Sequence, residues 1–393
     1  MTEYYLWLLQ FMGAANPRSL QLIRHYGSVC AVYEAFKHEN GGVRFLKENE
    51  AAALKTASLE KSCSILDMAQ KSGYRVITLD DAEYPLPLKN IYNPPPVLFA
   101  AGLLPESDTC LTVIGTREAC DYSFKVTGKL CGRLAKEGVT IVSGMAIGID
   151  KAAHTAAVEA KGRTVGVLAC GFGVDYPKFS TPFRQEMINA GGAVISELLP
   201  GQRGERGYFN QRNRIMSGLS RGVLIIEAGE RSGCHITARH AVNQNRDIFC
   251  IPPADIYNPR FKGVIGYIRD GAIPVFDHSD ILNEYLIKPT AFEVKSGADD
   301  TVPETFEDAE RTAPVTAKPF EVIPQKPPAA DLSALTPDGL KIAALLSGGT
   351  KTLDFIAENT ELSADELSDL LLELELDGVI ESAAGAGYKL CGM

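Results

Sequence analysis

The strongest constraint on the fold lies between residues 110 and 251, where six short, β-branched runs alternate with helical stretches of some twenty residues or more. The runs are Cys110–Ile114, Thr140–Val142, Thr164–Ala169, Ala193–Ser196, Val223–Ile226 and Asp247–Ile251. Apolar runs this short read as strands buried on both faces, and each connection is long enough for a crossover helix. This cadence predicts an α/β fold with a doubly wound, Rossmann-like parallel sheet. Ligands on such sheets collect beyond the carboxyl ends of the strands. The residues just past each run, among them Gly115, Ser143-Gly144, Ser196-Glu197 and Glu227, therefore mark the candidate site.

The flanks differ in kind. Residues 1–75 have apolar positions at helical spacing, broken at Gly13-Ala-Ala-Asn-Pro17 and Gly27-Ser28, and predict a helical domain of helix-hairpin (SAM-like) type. The core spans 76–288 and begins with an extended connector over 76–108, where Tyr84-Pro-Leu-Pro and Asn93-Pro-Pro-Pro disfavour helix and central strand. Residues 289–331 are rich in Pro, Ala and acids and read as a flexible linker. Residues 332–393 have the outline of a winged helix: helical periodicity over Pro337–Leu346, Leu353–Asn359 and Ala364–Leu376, then strands near Gly378–Glu381 and Gly387–Leu390.

A net charge of −10 argues at first sight against a nucleic-acid partner, but its distribution reverses that. Residues 331–393 hold twelve acids against three lysines and residues 291–330 eight against four, leaving the first 290 residues at about +3. The best candidate for a recognition helix in the tail, Ser363–Asp377, has six acids and no Lys or Arg, so it is expected to repel DNA and to serve interaction or regulation. Nine cysteines without a CxxC pair read as reduced thiols in the cytoplasm, with no zinc site. No apolar run reaches the roughly 18 residues of a membrane helix, and the basic start of a signal peptide is missing.

Four constellations carry the chemistry. Val113-Ile-Gly115-Thr116-Arg117 is a strand end feeding a helix, where backbone N–H groups favour phosphate and Arg117 adds a bidentate fork. It is neither GxGxxG nor a P-loop. Val142-Ser143-Gly144 leads through Asp150 to His154, with Asp150 read as a cap and His154 as a packed side chain rather than an acid–base pair. Asn210-Gln-Arg212-Asn213-Arg214, with Arg203, Arg206, Tyr208 and Phe209 before it, combines cationic forks with aromatic faces and suits single-stranded nucleic acid. Ser232-Gly233 and Thr237 bracket a further helix start.

Taken in order, these motifs resemble the DprA (Smf) family, the DNA-processing proteins of bacterial transformation. The resemblance runs from Tyr84-Pro to Ile251-Pro252 through Val113-Ile-Gly-Thr-Arg117, the stretch from Ser143 to His154, Gly173-Val-Asp-Tyr-Pro177, Ser196-Glu-Leu-Leu-Pro-Gly201 and Arg212-Asn-Arg-Ile-Met-Ser217. It implies an extended Rossmann fold, single-stranded DNA binding, protection of that DNA, dimerisation and loading of the RecA recombinase, with no catalytic residue and no cofactor. DNA or phosphate contacts carry over to Gly115, Thr116, Arg117, Ser143, Gly144, Arg212, Asn213, Arg214, Ser232, Gly233 and Thr237, with Lys178 added. Arg117 and Arg212 are expected to bind DNA without supporting the fold. A homodimer is expected through Val264–Ile268 and Ile273–Phe276. The chain departs from the family at Pro253 and at Gly263-Val264-Ile265, so nothing is carried over between 253 and 266. The alternative is a LOG-like protein that binds or hydrolyses nucleoside monophosphates. Its glutamate is missing from Ser232-Gly-Cys-His-Ile-Thr237-Ala238.

Overall fold

The computed structural model describes residues 1–38, 42–105, 109–230, 232–287 and 335–360, together with 362, 367, 370, 371, 374, 379–383 and 387–390. Five helices open the chain: α1 (Thr2–Met12), α2 (Pro17–Tyr26), α3 (Val29–His38), α4 (Glu48–Thr56) and α5 (Glu60–Lys71). The break before α2 follows local chemistry, since Asn16 accepts a hydrogen bond from Arg18 N and Pro17 takes the first helical position.

The stretch expected as an extended connector is more ordered than that. It forms β1 (Arg75–Thr78), the single turn α6 (Leu86–Lys89) and β2 (Val97–Gly102). Its prolines end at Pro96, so the strand after them keeps its N–H groups, and β2 is paired on both sides.

The six apolar runs become β3 (Cys110–Ile114), β4 (Thr140–Ser143), β5 (Thr164–Val167), β6 (Ala193–Ser196), β7 (Gly222–Ile225) and β8 (Asp247–Cys250). Between them lie α7 (Asp121–Lys136), α8 (Ile149–Glu159), α9 (Ser180–Asn189), α10 (Arg206–Leu219) and α11 (Cys234–Asn243), followed by α12 (Lys262–Arg269), β9 (Ile273–Pro274) and α13 (His278–Ile287). The sheet order is β1-β2-β6-β5-β4-β3-β7-β8-β9. It is parallel from β6 to β9 and antiparallel at β1 and β2. The α/β doubly wound fold class read from the sequence is the fold observed.

Strand alternation builds two layers. Leu111 and Val113 of β3 join a core with α7, α8 and α13, whereas Cys110 and Ile114 join one with α10, α11 and the helical head. The head is tied to the sheet by polar contacts as well: Tyr5 Oη donates to Asp80 at 2.8 Å, and Ala15 N to the Glu197 carboxylate at 3.0 Å.

Strand order reverses between β3 and β7, and α10 makes the long return beneath the carboxyl ends of the strands. That crossing positions the site.

In the tail, α14 (Pro337–Leu346), α15 (Leu353–Glu358) and the small sheet of β10 (Lys351–Thr352), β12 (Gly387–Leu390) and β11 (Ile380–Ala383) enclose their own core with Leu367, Leu371 and Leu374. This is a winged helix. Most of the acidic segment 363–377 and all of the expected linker 289–331 lie outside the described residues.

Candidate functional site

A shallow cleft lies over the carboxyl ends of β3, β4 and β5. Arg117, Gly144–Ile147, Leu168, Ala169, Tyr176, Pro177 and Phe209 line it. Arg117 has no hydrogen bond or ion pair among the described residues. Tyr176 and Phe209 meet edge to face, with ring centroids 5.5 Å apart. The neighbouring Tyr208 is engaged elsewhere, its hydroxyl accepting from Gln202 Nε2 at 2.7 Å. A free guanidinium beside two aromatic rings fits a phosphate and an unpaired base.

Beneath the cleft the loops are fastened by the chain's own groups. Ser143 Oγ donates to Val113 O at 2.6 Å. Thr116 N donates to Glu227 O at 3.0 Å, Thr116 O accepts from Ile149 N, and Thr116 Oγ1 accepts from Glu118 N. A Cβ on Gly115 would lie 2.5 Å from the Ile149 side chain, so this glycine admits a helix rather than a ligand. At Gly144 a Cβ would stand 2.5 Å from the Arg212 guanidinium.

Two buried carboxylates sit where a nucleotide phosphate would. Glu227, 1% exposed, accepts from Cys120 N at the start of α7 at 3.0 Å. Asp150 accepts from Gly144 N at 3.1 Å and Ala146 N at 3.4 Å. Burial pushes the Asp150 carboxyl up, opposed by Arg212 and by those backbone donors.

The two arginines expected to reach DNA from a loop lie inside α10 and point inward, which corrects both that placement and the expectation that Arg212 carries no structural duty. Arg212, 7% exposed, donates to Gly144 O at 2.5 Å and to Val167 O, and its Nε donates to Asn213 Oδ1. Burial, with Arg117 adding to it, lowers its pKa to about 10 against the pull of Asp150, so it stays charged at neutral pH. Arg214, 6% exposed, grips Glu197 with Nη2 2.6 and 2.7 Å from the two carboxylate oxygens. Residue type alone does not reveal this, because an arginine reads the same whether it faces water or strand-end carbonyls.

His154 is packed as expected. Its Nδ1 lies 2.6 Å from Thr164 Oγ1, which itself donates to Ile141 O, so Nδ1 is the donor. Burial, then Arg212, pushes its pKa down to about 3. It is neutral and makes no pair with Asp150.

The remaining candidates separate. Lys178 is exposed at the cleft rim, directly after Pro177. Ser232, Gly233 and Thr237 stand at the start of α11 beyond β7 and do not line the cleft; Ser232 Oγ accepts from Cys234 N, and Thr237 is buried.

One residue that shapes the rim was not singled out from the sequence. Asp175 accepts from Phe179 N at 2.7 Å, Ser180 Oγ at 3.0 Å, and Thr181 N and Oγ1 at 3.0 and 2.8 Å. Arg184 braces the same loop through Val174 O and Tyr176 O. An aspartate just before a Tyr-Pro turn, followed by Ser-Thr, was the available signal. Burial alone would raise the Asp175 carboxyl, but the donors from Thr181, Phe179 and Ser180 outweigh it and hold the pKa below the usual value. Its contribution to stability is therefore complete above about pH 4 and is lost as pH falls through the lower folded value. Asp175→Asn is expected to destabilise by about 1–3 kcal/mol and to flatten part of the acid limb of a melting-temperature profile. A profile identical to that of the unsubstituted protein would remove Asp175 from this role.

Residues 75–286 match the family model for DNA recombination-mediator protein A, and residues 326–386 that for the DprA winged helix domain. The Smf protein of a Synechocystis species is 32% identical over 342 residues, covering 82% of each chain. The crystal structure of DNA processing protein A from Streptococcus pneumoniae is similar with a TM-score of 0.58 and 30% identity, covering 72% of this chain and 98% of that one. The corresponding protein of Helicobacter pylori, described for its single-stranded DNA binding mode, is 27% identical with a TM-score of 0.49, covering 54% of this chain and 95% of that one.

Proposed function

We propose that this chain, which belongs to the DNA recombination-mediator protein A (DprA, or Smf) family, binds single-stranded DNA in the cleft over β3, β4 and β5, shields it and delivers it to the RecA recombinase. The observation that carries the reading is Arg117, an unengaged guanidinium at a cleft walled by Tyr176 and Phe209. Phosphate meets Arg117 and the rim residue Lys178, while an unstacked base finds the aromatic rings. Gly115, Thr116, Ser143, Gly144, Arg212 and Asn213 act one layer down, by fixing the loops that present those groups. Arg214, Ser232, Gly233 and Thr237 lie apart from the cleft, and a direct phosphate contact is proposed for none of them.

Homodimerisation belongs to the same proposal. Within the expected surface Val264 and Val275 are buried, and Phe276, 80% exposed, is its most exposed apolar side chain.

The nucleotide-hydrolysing alternative has less to stand on. Glu227 and Asp150 already hold the backbone donors a phosphate would need, and the start of α11 offers Thr237 rather than a carboxylate. Incubation with nucleoside monophosphates is expected to release no free base.

The direct test is titration with single-stranded and duplex oligonucleotides of equal length across a salt series. Preference for the single strand, with affinity falling steeply as salt rises, is the expected outcome. Equal or tighter binding to the duplex would sink the reading.

A further inference from the structure

The outer face of α7 carries a charge pattern that neither the cleft nor the helix's own stability accounts for. Lys125, Lys129, Arg133 and Lys136 are all exposed and follow one another at intervals of four, four and three residues, so they stand in one row. Among the described residues the three lysines have no ion-pair partner, and Arg133 meets Asp277 at 3.0 Å. Between Asp121 and Glu137 the helix contains no acid.

The helix dipole favours cations in the last turn, which covers Arg133 and Lys136. It does not cover Lys125, near the start, or Lys129. Phe124, 40% exposed, stands beside the row. Gly128 is exposed on the same side, and a Cβ there would meet nothing within 4 Å. A glycine inside a helix costs roughly 1 kcal/mol relative to alanine, and no internal packing explains this one. What it provides is an open strip of backbone beside two lysines.

The helix begins four residues after Arg117, so the end of the row that starts at Lys125 is the end nearer in sequence to the cleft residue Arg117. With a rise of 1.5 Å per residue, cations four residues apart are separated by about 6 Å and the row extends about 16 Å.

We propose that this face of α7 is a second segment of the single-stranded DNA path, an inference that rests on the cleft being the DNA site. Nucleotides leaving the cleft past Arg117 lay their phosphates along Lys125, Lys129 and Lys136, with Phe124 offering a face to one base and Gly128 letting the strand lie close. An acidic protein surface would satisfy the lysines as well, and the experiment below separates the two.

The experiment compares two oligothymidylates on the full chain. One is about six nucleotides long, enough for a single-strand pocket, and the other about twenty. The variants are K125A/K129A/K136A and K125E/K129E. Alanine favours helix, so the first should melt at or above the temperature of the unsubstituted protein. Both variants should bind the short strand normally and the long strand more weakly. For the triple variant the slope of log affinity against log salt should be shallower by about 2, from 0.7 per lost phosphate contact. Unchanged affinity and slope for the long strand overturn the proposal and assign the row to an acidic protein partner. Equal weakening for both lengths overturns it too, as a diffuse field effect. If the unsubstituted protein binds neither strand, the cleft reading fails first and takes this one with it.

Discussion

Replacing Arg117 by alanine should weaken single-stranded DNA binding by roughly 10- to 150-fold and leave the melting temperature almost unchanged. The loss corresponds to one charge-assisted phosphate contact, about 1.5–3 kcal/mol, at about 1.4 kcal/mol per factor of ten. The small stability effect follows from geometry: Arg117 lines the cleft and makes no hydrogen bond or ion pair among the described residues. Its removal also takes away a positive charge that presses on buried Arg212, a modest relief. Arg117→Lys separates two explanations. If the bidentate fork matters, lysine keeps the charge and the salt dependence but recovers only part of the affinity. Affinity like that of the unsubstituted protein in Arg117→Ala would rule out the cleft as the DNA site.

The same motifs show how far sequence reasoning reaches. The strands were legible because a parallel sheet covered on both faces leaves its composition in the chain. Runs such as Leu111–Ile114 and Val223–Ile226 are almost wholly buried, and β-branched residues are what such positions demand. That the candidate cleft lies at the carboxyl ends of strands was legible for a related reason, since a parallel sheet presents those ends along one edge, but it sits over β3, β4 and β5 and not across the reversal between β3 and β7.

The roles of individual residues were less legible. Gly115, Thr116 and Gly144 read as a phosphate cradle, yet the donors beside them are held by Glu227, distant in sequence, and by Asp150, six residues past Gly144. A carboxylate that ends a buried strand must find a partner, and this requirement was the unread clue. In β2, by contrast, the prolines misled because they precede the strand instead of interrupting it. Arg212 and Arg214 read as part of a loop abutting the start of a helix, whereas they lie inside α10, where burial of a guanidinium is decided by what the helix crosses.

That distinction yields the largest expected effect on stability, at Arg214. The pair it forms with Glu197 is 6% and 4% exposed and joins α10 to the end of β6. Glu197 also accepts from Ala15 N in the turn between α1 and α2, so one carboxylate links three parts of the fold. Removing one member of a buried pair leaves the other charged and desolvated, at about 3–5 kcal/mol. Arg214→Ala should therefore lower the melting temperature by on the order of 10 °C, and cleavage by protease should begin nearer the helical head. DNA affinity, measured well below that transition, should stay close to the original value, since Arg214 does not line the cleft. The double variant E197Q/R214M should regain most of the lost stability. It removes both charges while the glutamine oxygen still accepts from Ala15 N, and apolar bulk replaces the guanidinium. The opposite pattern, an unchanged melting temperature with lost DNA affinity in Arg214→Ala, would mean that this arginine meets DNA directly and that the Glu197 pair opens on binding.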